Sequence, residues 1–300
     1  MKHTRRQWLT HACCLLAIGW VMANMPLNLR AEEPATKPDS DQAKKPVTAG
    51  MTPREVVEKS IQLTKELKFE ENASLILPGD RAKLKKIILS LFDLSDKLPK
   101  DSPMYQQAKA SLRVLTKPLK SKKEVAAASD LEVVQNFLAN IIKSIPDFEE
   151  IIRQGEVKIL GEVKENDELV FIVQTFLLPR ATITPCKKQD GTWYMMLGEA
   201  LDGLAKKVEF MQYAQEHDLD DEQAFELLSN AKIKEVNVVG HVLEDADTAQ
   251  VVSRTTVLLG PIEIVQLGVY PIRKGSPEWD LLGEEDREKL NAALKKKYQP

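Results

Sequence analysis

Cysteine and histidine are scarce in this chain, and their positions make them scarcer still. Of three cysteines, Cys13 and Cys14 stand within the first 31 residues, and of four histidines only His217 and His241 lie beyond them. With that leader set apart, Cys186 is the one remaining thiol, so no internal disulfide can staple the fold. Cys186 falls in a predicted strand and reads as a small buried hydrophobe. Two histidines cannot make a three-histidine site, and neither C-x-x-C nor H-E-x-x-H occurs, so no metal is expected. "HDLDDE" at 217–222 lacks the glycine and ligand spacing of a calcium loop, and its acids stand where a helix cap needs them. The nucleophile elbow, the phosphate-binding loop and the dinucleotide glycine fingerprint are also absent, so no catalytic residue is assigned and no cofactor expected. His241 follows Gly240 on a predicted strand and reads as a strand-surface or core histidine rather than a base. Glu165, Asp167, Glu244 and Asp247 read as solvated hairpin tips rather than a carboxylate pair.

Long apolar runs are missing too. The most continuous one, Ala12 to Ala23, falls short of the roughly 18 residues that a bilayer requires. It has the length of the apolar core of a secretory signal, and Lys2, Arg5 and Arg6 supply the positive start. Cleavage is expected after Ala23 or Ala31. "TRRQWL" (4–9) resembles the twin-arginine signal pattern, with Trp8 in the aromatic position and Leu9 matching, so Arg5 and Arg6 are read as its motif. A lipoprotein cysteine follows such a run, whereas Cys13 and Cys14 begin it. Export from a bacterial cytoplasm to the periplasm, the envelope or beyond is the expectation.

Positive charge is also deficient. Residues 1–31 hold four Lys or Arg and no acid, so their removal takes the net charge from −3 to −7. An acidic body argues against nucleic acid and anionic membranes as partners, because both call for clustered Lys and Arg. "KLKK" and "ALKKK" each fit the solvated face of a helix.

What is present divides the chain into a leader (1–31), a Pro- and charge-rich tether (32–50), a helical region (51–155) and two hairpin-rich units (156–217 and 218–300). Thr52, Pro53 and Glu55 form a capping box before Val57, Ile61, Thr64 and Leu67 on one helical face. Asp80 is expected to cap a helix carrying Leu84, Ile87, Ile88 and Leu91. Ser102-Pro103 opens another. Ser129 with Glu132 opens what should be the longest and most central helix, ended by Pro146. Alternating segments then indicate strands: "EVKILGEV" and "ELVFIVQTFLL" around "KEND", and "ATITPCKK" and "TWYMML" around Asp190-Gly191, a tight-turn pair. A helix is predicted from about Glu199 to His217, and another is capped by Asp220.

The second half echoes the first. "EVKILGEVKENDELVFIVQ" (156–174) aligns without gaps to "EVNVVGHVLEDADTAQVVS" (235–253), and "TWYMMLGEALDGL" parallels "EWDLLGEEDREKL". Gly161 answers Gly240, Val163 answers Val242, and Trp193 answers Trp279. The expected class is α+β: N-terminal helices on curved antiparallel sheets, with a duplicated hairpin-hairpin-helix unit. Trp193 and Trp279 read first as core anchors and second as candidates to line a ligand cavity.

"TPREVV" opening a helix, then "LGEVKENDELVFIV" and "KKQDGTWYMML", resembles the nuclear-transport-factor-2-like (cystatin-like cone) superfamily over about 51–210. The resemblance implies a curved sheet wrapped by helices around a cavity. It carries no catalytic residue across, since no position matches. The expected function is a non-catalytic binding or protein-interaction module. The alternative is a small-molecule-binding or enzymatic cone with an apolar cavity.

Overall fold

The computed structural model describes residues 48–100, 103–143, 156–176, 181–217, 232–246, 248–260 and 262–273, with the isolated positions 219, 223 and 227. The expected export leader, the helix expected from Asp220, Asp247, Trp279 and the segment from Pro146 to Ile152 lie outside them.

Among the described residues six helices come first: α1 (Pro53–Lys65), α2 (Phe69–Ser74), α3 (Pro78–Lys97), α4 (Pro103–Thr116), α5 (Lys122–Ala127) and α6 (Asp130–Lys143). Thr48 is buried, and its carbonyl accepts from Met51 N–H at 3.1 Å, in a turn that leads into α1. The capping box forms as expected. Thr52 Oγ1 accepts from Glu55 N–H at 3.3 Å, and Glu55 Oε2 accepts from Thr52 N–H at 2.7 Å. These bonds satisfy two donors that a helix start otherwise leaves orphaned. α1 ends earlier than its apolar spacing implies. Leu67 lies past the helix at φ +57°, and Lys68 N–H reaches back to Leu63 C=O at 2.9 Å, closing the last turn. The short α2 then returns along α1. Asn72 Oδ1 accepts from Ser60 Oγ at 2.8 Å, and Asn72 Nδ2 donates to Thr64 Oγ1 at 2.7 Å, so a buried polar trio is satisfied internally.

Two expectations need correction. The longest of these helices is α3, with 20 residues against 14 for α6, although α6 does bury Val134, Leu138, Ile141 and Ile142. Asp80 does not cap its own helix, because α3 begins two residues earlier at Pro78 and Leu77 holds the cap position without a side-chain bond.

Among the described residues seven strands make two separate antiparallel sheets. The first contains β1 (Val157–Lys164), β2 (Leu169–Phe176), β3 (Ala181–Gln189) and β4 (Thr192–Met195) in that order. Asp190 and Gly191 both take positive φ, +51° and +78°, as the tight β3–β4 turn requires. α7 (Gly198–Glu216) follows. The second sheet is β5 (Lys232–Leu243), β6 (Thr248–Leu259) and β7 (Ile262–Arg273). β7 stands where the first strand of this unit's expected second hairpin would fall, and the segment expected to pair with it, around Trp279, lies outside the described residues. β7 turns back tightly through Gly260 at φ +58°.

The layers follow from the residues on each face. On one face of the first sheet Val170, Ile172, Cys186 and Met195 join the helical core with Val57, Leu84, Ile88 and Val134. On the other, Val163, Phe171, Val173, Ala181 and Ile183 meet Val242, Val252 and Val269 of the second sheet. β2 is therefore buried on both sides, and this explains why "VFIV" runs apolar without alternation. α7 bridges the halves: Leu201 and Val208 join the helical core, while Phe210 packs on Ile262 and Ile264 of β7.

Candidate functional site

The two sheets approach each other closely at two glycines. A Cβ on Gly161 would lie 2.9 Å from Val242 Cγ1, and one on Gly240 would lie 2.5 Å from Val163 Cγ1. Each glycine thus admits the valine that stands two residues beyond the other. β1 and β5 both carry a register irregularity just before the glycine, between Ile159 and Gly161 and between Val238 and Gly240. Gly161 faces Val173 on β2, and Gly240 faces Val252 on β6. The turns correspond as well. Glu165 and Asn166 N–H point to Leu169 C=O at 3.0 and 3.3 Å, and Glu244 and Asp245 N–H point to Thr248 C=O at 2.9 and 3.3 Å.

Trp193 is half-buried on β4. It packs against the helical core with Lys188 Nζ 5.8 Å above its ring, and it faces no space between the sheets. His217 ends α7, stacked on Tyr213 with ring centroids 4.1 Å apart, its Nδ1 2.9 Å from Tyr213 C=O. His241 is exposed on β5, paired across the ladder with Val251. The structure does not bring these three side chains together.

Of the turn acids, Asp167 is solvated and pairs with Lys164, at 2.6 Å. Glu244 Oε2 accepts from Gln250 Nε2 at 2.6 Å. Glu165 is not a free tip. Arg254 on β6 takes both of its carboxylate oxygens, one at 2.8 Å, while its guanidinium lies 5.5 Å from the Phe171 ring centroid. The first hairpin's turn is thereby clamped to the second sheet. Arg254 lies 89 residues from Glu165 in sequence, so spacing gave no sign of the pair.

Cys186 is fully buried, with Sγ 3.8 Å from Pro53 C=O, and burial pushes its thiol far above the usual range. A thiol so protonated is a poor nucleophile and a poor metal ligand.

Asp80 is the buried carboxyl that sequence reasoning misplaced. Its Oδ2 accepts from the N–H groups of Leu197 and Gly198 at 2.7 and 2.9 Å, capping α7 from a different helix. Burial raises its pKa, against the pull of those two backbone bonds and of Lys83. Its place beside the parallel bridge between Ile76 and Met195 makes it a fastener.

A cleft of about 220 Å³ lies between α1 and β1. Ile61, Val157 and Ile159 supply its apolar part, and Arg54, Glu58, Lys65 and Glu156 its charged part. Arg54 and Glu58 pair with each other at 2.9 Å. Among the described residues no three His, Cys, Asp or Glu side chains are grouped to hold a metal, and no helix is long and apolar enough to cross a membrane.

The chain matches no family model, no curated protein and no solved structure.

Proposed function

We propose that this chain is an exported bacterial protein whose body acts as a non-catalytic binding or protein-interaction module. The observation that carries the reading is the use made of its distinctive side chains. The space between the sheets is filled by Val163, Phe171, Val173, Ile183, Val242, Val252 and Val269, and Asp80 and Glu165 serve as fasteners. A cavity-based function would instead set such a carboxylate against a sizeable pocket.

Export rests on Arg5, Arg6 and the short apolar run that follows. Replacing both arginines with lysine is expected to hold the protein in the cytoplasm on cell fractionation. Unchanged export would assign the general secretory route instead, and a cytoplasmic wild type would remove the export reading. The interaction reading is tested by photo-crosslinking from exposed positions around the body, in the cells that make it. Discrete crosslinked species from one face are expected, and their absence from every face would overturn it.

The second reading, a small-molecule-binding cone, is favoured by the α1–β1 cleft and by the resemblance of 51–210 to nuclear-transport-factor-2-like proteins. The native protein should then enhance the fluorescence of an apolar dye, and Ile159→Arg should abolish the signal.

Internal duplication belongs to the same proposal. The supporting geometry is the equal register, irregularity and turn bonding of two hairpins whose matching positions lie 79 residues apart.

A further inference from the structure

The mature chain is acidic as a whole, but its charge is unevenly placed. Residues 105–123 contain six Lys or Arg and no Asp or Glu, so the rest of a −7 body carries −13. The fold turns this run into a surface. Lys109, Arg113 and Lys117 recur every four residues along the outer side of α4 and just past its end, and all three are exposed. Lys120 and Lys123 continue the row through the next turn into α5, also exposed. None of these five takes part in the ion pairs found among the described residues. The sixth cation, Lys122, is held by Asp93 of α3. The nearest acid in sequence, Glu124, accepts from Lys120 backbone N–H at 2.6 Å as part of the α5 start.

We propose that this α4–α5 edge is a docking surface for an anionic lipid bilayer. Three features select that partner. Four of the five cations are lysines, compact charges on long stems that suit a diffuse plane of negative headgroups, whereas forked phosphate recognition uses arginine. The face is the convex side of a helix, with no groove along which a nucleic-acid strand could run. The aromatic ring within the row, Tyr105, is half-buried and has Lys109 Nζ 5.5 Å from its centroid, so it offers no platform for stacking a base. Repulsion between the plane and the net negative charge carried outside residues 105–123 favours approach by this edge. Net charge alone argued against this partner, because it averages the cation-rich run at 105–123 with the acidic remainder of the chain.

The test is sedimentation of the full chain with vesicles of phosphatidylcholine alone or mixed with phosphatidylglycerol. Binding is expected only to the mixed vesicles and should fall with added salt. Each cation in the row should contribute about fivefold to partitioning. Lys117→Gln, Lys120→Gln and Lys123→Gln together should therefore weaken it by roughly a hundredfold. Lys158→Gln, Lys187→Gln and Lys232→Gln together make the same change in net charge elsewhere on the exposed surface, and should change it little. All six positions are exposed, so both variants should keep the wild-type melting profile. Equal losses in the two triple variants, equal binding to both vesicle types, or retention of a single-stranded oligonucleotide in place of vesicles would each overturn the proposal.

Discussion

The β1–β2 and β5–β6 hairpins share register, strand irregularity and turn bonding, yet their sequences agree only in places. The agreement is closest where the hairpins touch. Gly161, Val163, Gly240 and Val242 fill one another's space, so neither pair can change alone. They diverge where their surroundings differ. Phe171 and Ile172 on β2 are held between helices and the second sheet, whereas the matching positions on β6 are Gln250 and Val251. The same backbone thus accepts an apolar or a polar strand according to the layers on either side of it.

The comparison can be broken most severely at Phe171. Phe171→Ala empties a fully buried site between the sheets and should cost about 3–5 kcal/mol in denaturant melts. Gln250→Ala, at the matching position, should cost about 1 kcal/mol, since it removes one bond to Glu244. Equal losses would show that the two hairpins carry similar packing loads.

The glycine crossing comes next. Gly240→Ala should destabilise by about 1–3 kcal/mol, and Gly161→Ala by less, since its clash is milder. Adding Val163→Ala should rescue Gly240→Ala, and adding Val242→Ala should rescue Gly161→Ala. Strictly additive double mutants would separate the two contacts and sink the reciprocal relation.

Asp80 sharpens a different contrast, between a charged and a neutral cap. Asp80→Ala leaves two backbone donors at the α7 start unpartnered and should cost about 1–3 kcal/mol. Asp80→Asn keeps an acceptor and avoids burying a charge, so it should cost much less at neutral pH. The sign follows from the raised pKa. The folded protein holds this proton more tightly than the unfolded chain does, so the contribution is greatest below the unfolded value and fades as pH rises through the folded one. The stability of the wild type relative to Asp80→Asn should fall across that window, and a flat difference would contradict the assignment.

The smallest effect belongs to the clamp found in one direction only. Arg254→Met should cost about 1 kcal/mol or less, and less again in high salt, because both partners retain some solvent. Thr175 occupies the position in the first hairpin that matches Arg254, so Thr175→Val should leave salt dependence unchanged.

Much of this architecture was legible in the sequence because its signals are local. The capping box at Thr52, the Asp190-Gly191 turn and the alternating strands each span a few residues. α2 and α5 were missed because six residues are too few to establish a helical period. The roles of Asp80 and Glu165 were missed for the opposite reason, as their partners lie 117 and 89 residues away. The cations of residues 105–123 are plain in the sequence, but the four-residue spacing of Lys109, Arg113 and Lys117 gained meaning only from α4, which leaves them exposed.

The bond between Asp80 and the start of α7 also sets a clock. It closes a loop of 117 residues, and Leu77 N–H bonds to Met195 C=O beside it, at 2.8 Å. The helical layer therefore cannot be completed until Gly198 has left the ribosome. At typical synthesis rates that is roughly 3–10 s after α6 has emerged. Throughout that interval Leu84, Ile88 and Val134 lack the sheet they will cover. A nascent chain in this condition is a chaperone substrate, and any route that demands a folded cargo has to wait for residues 181–198.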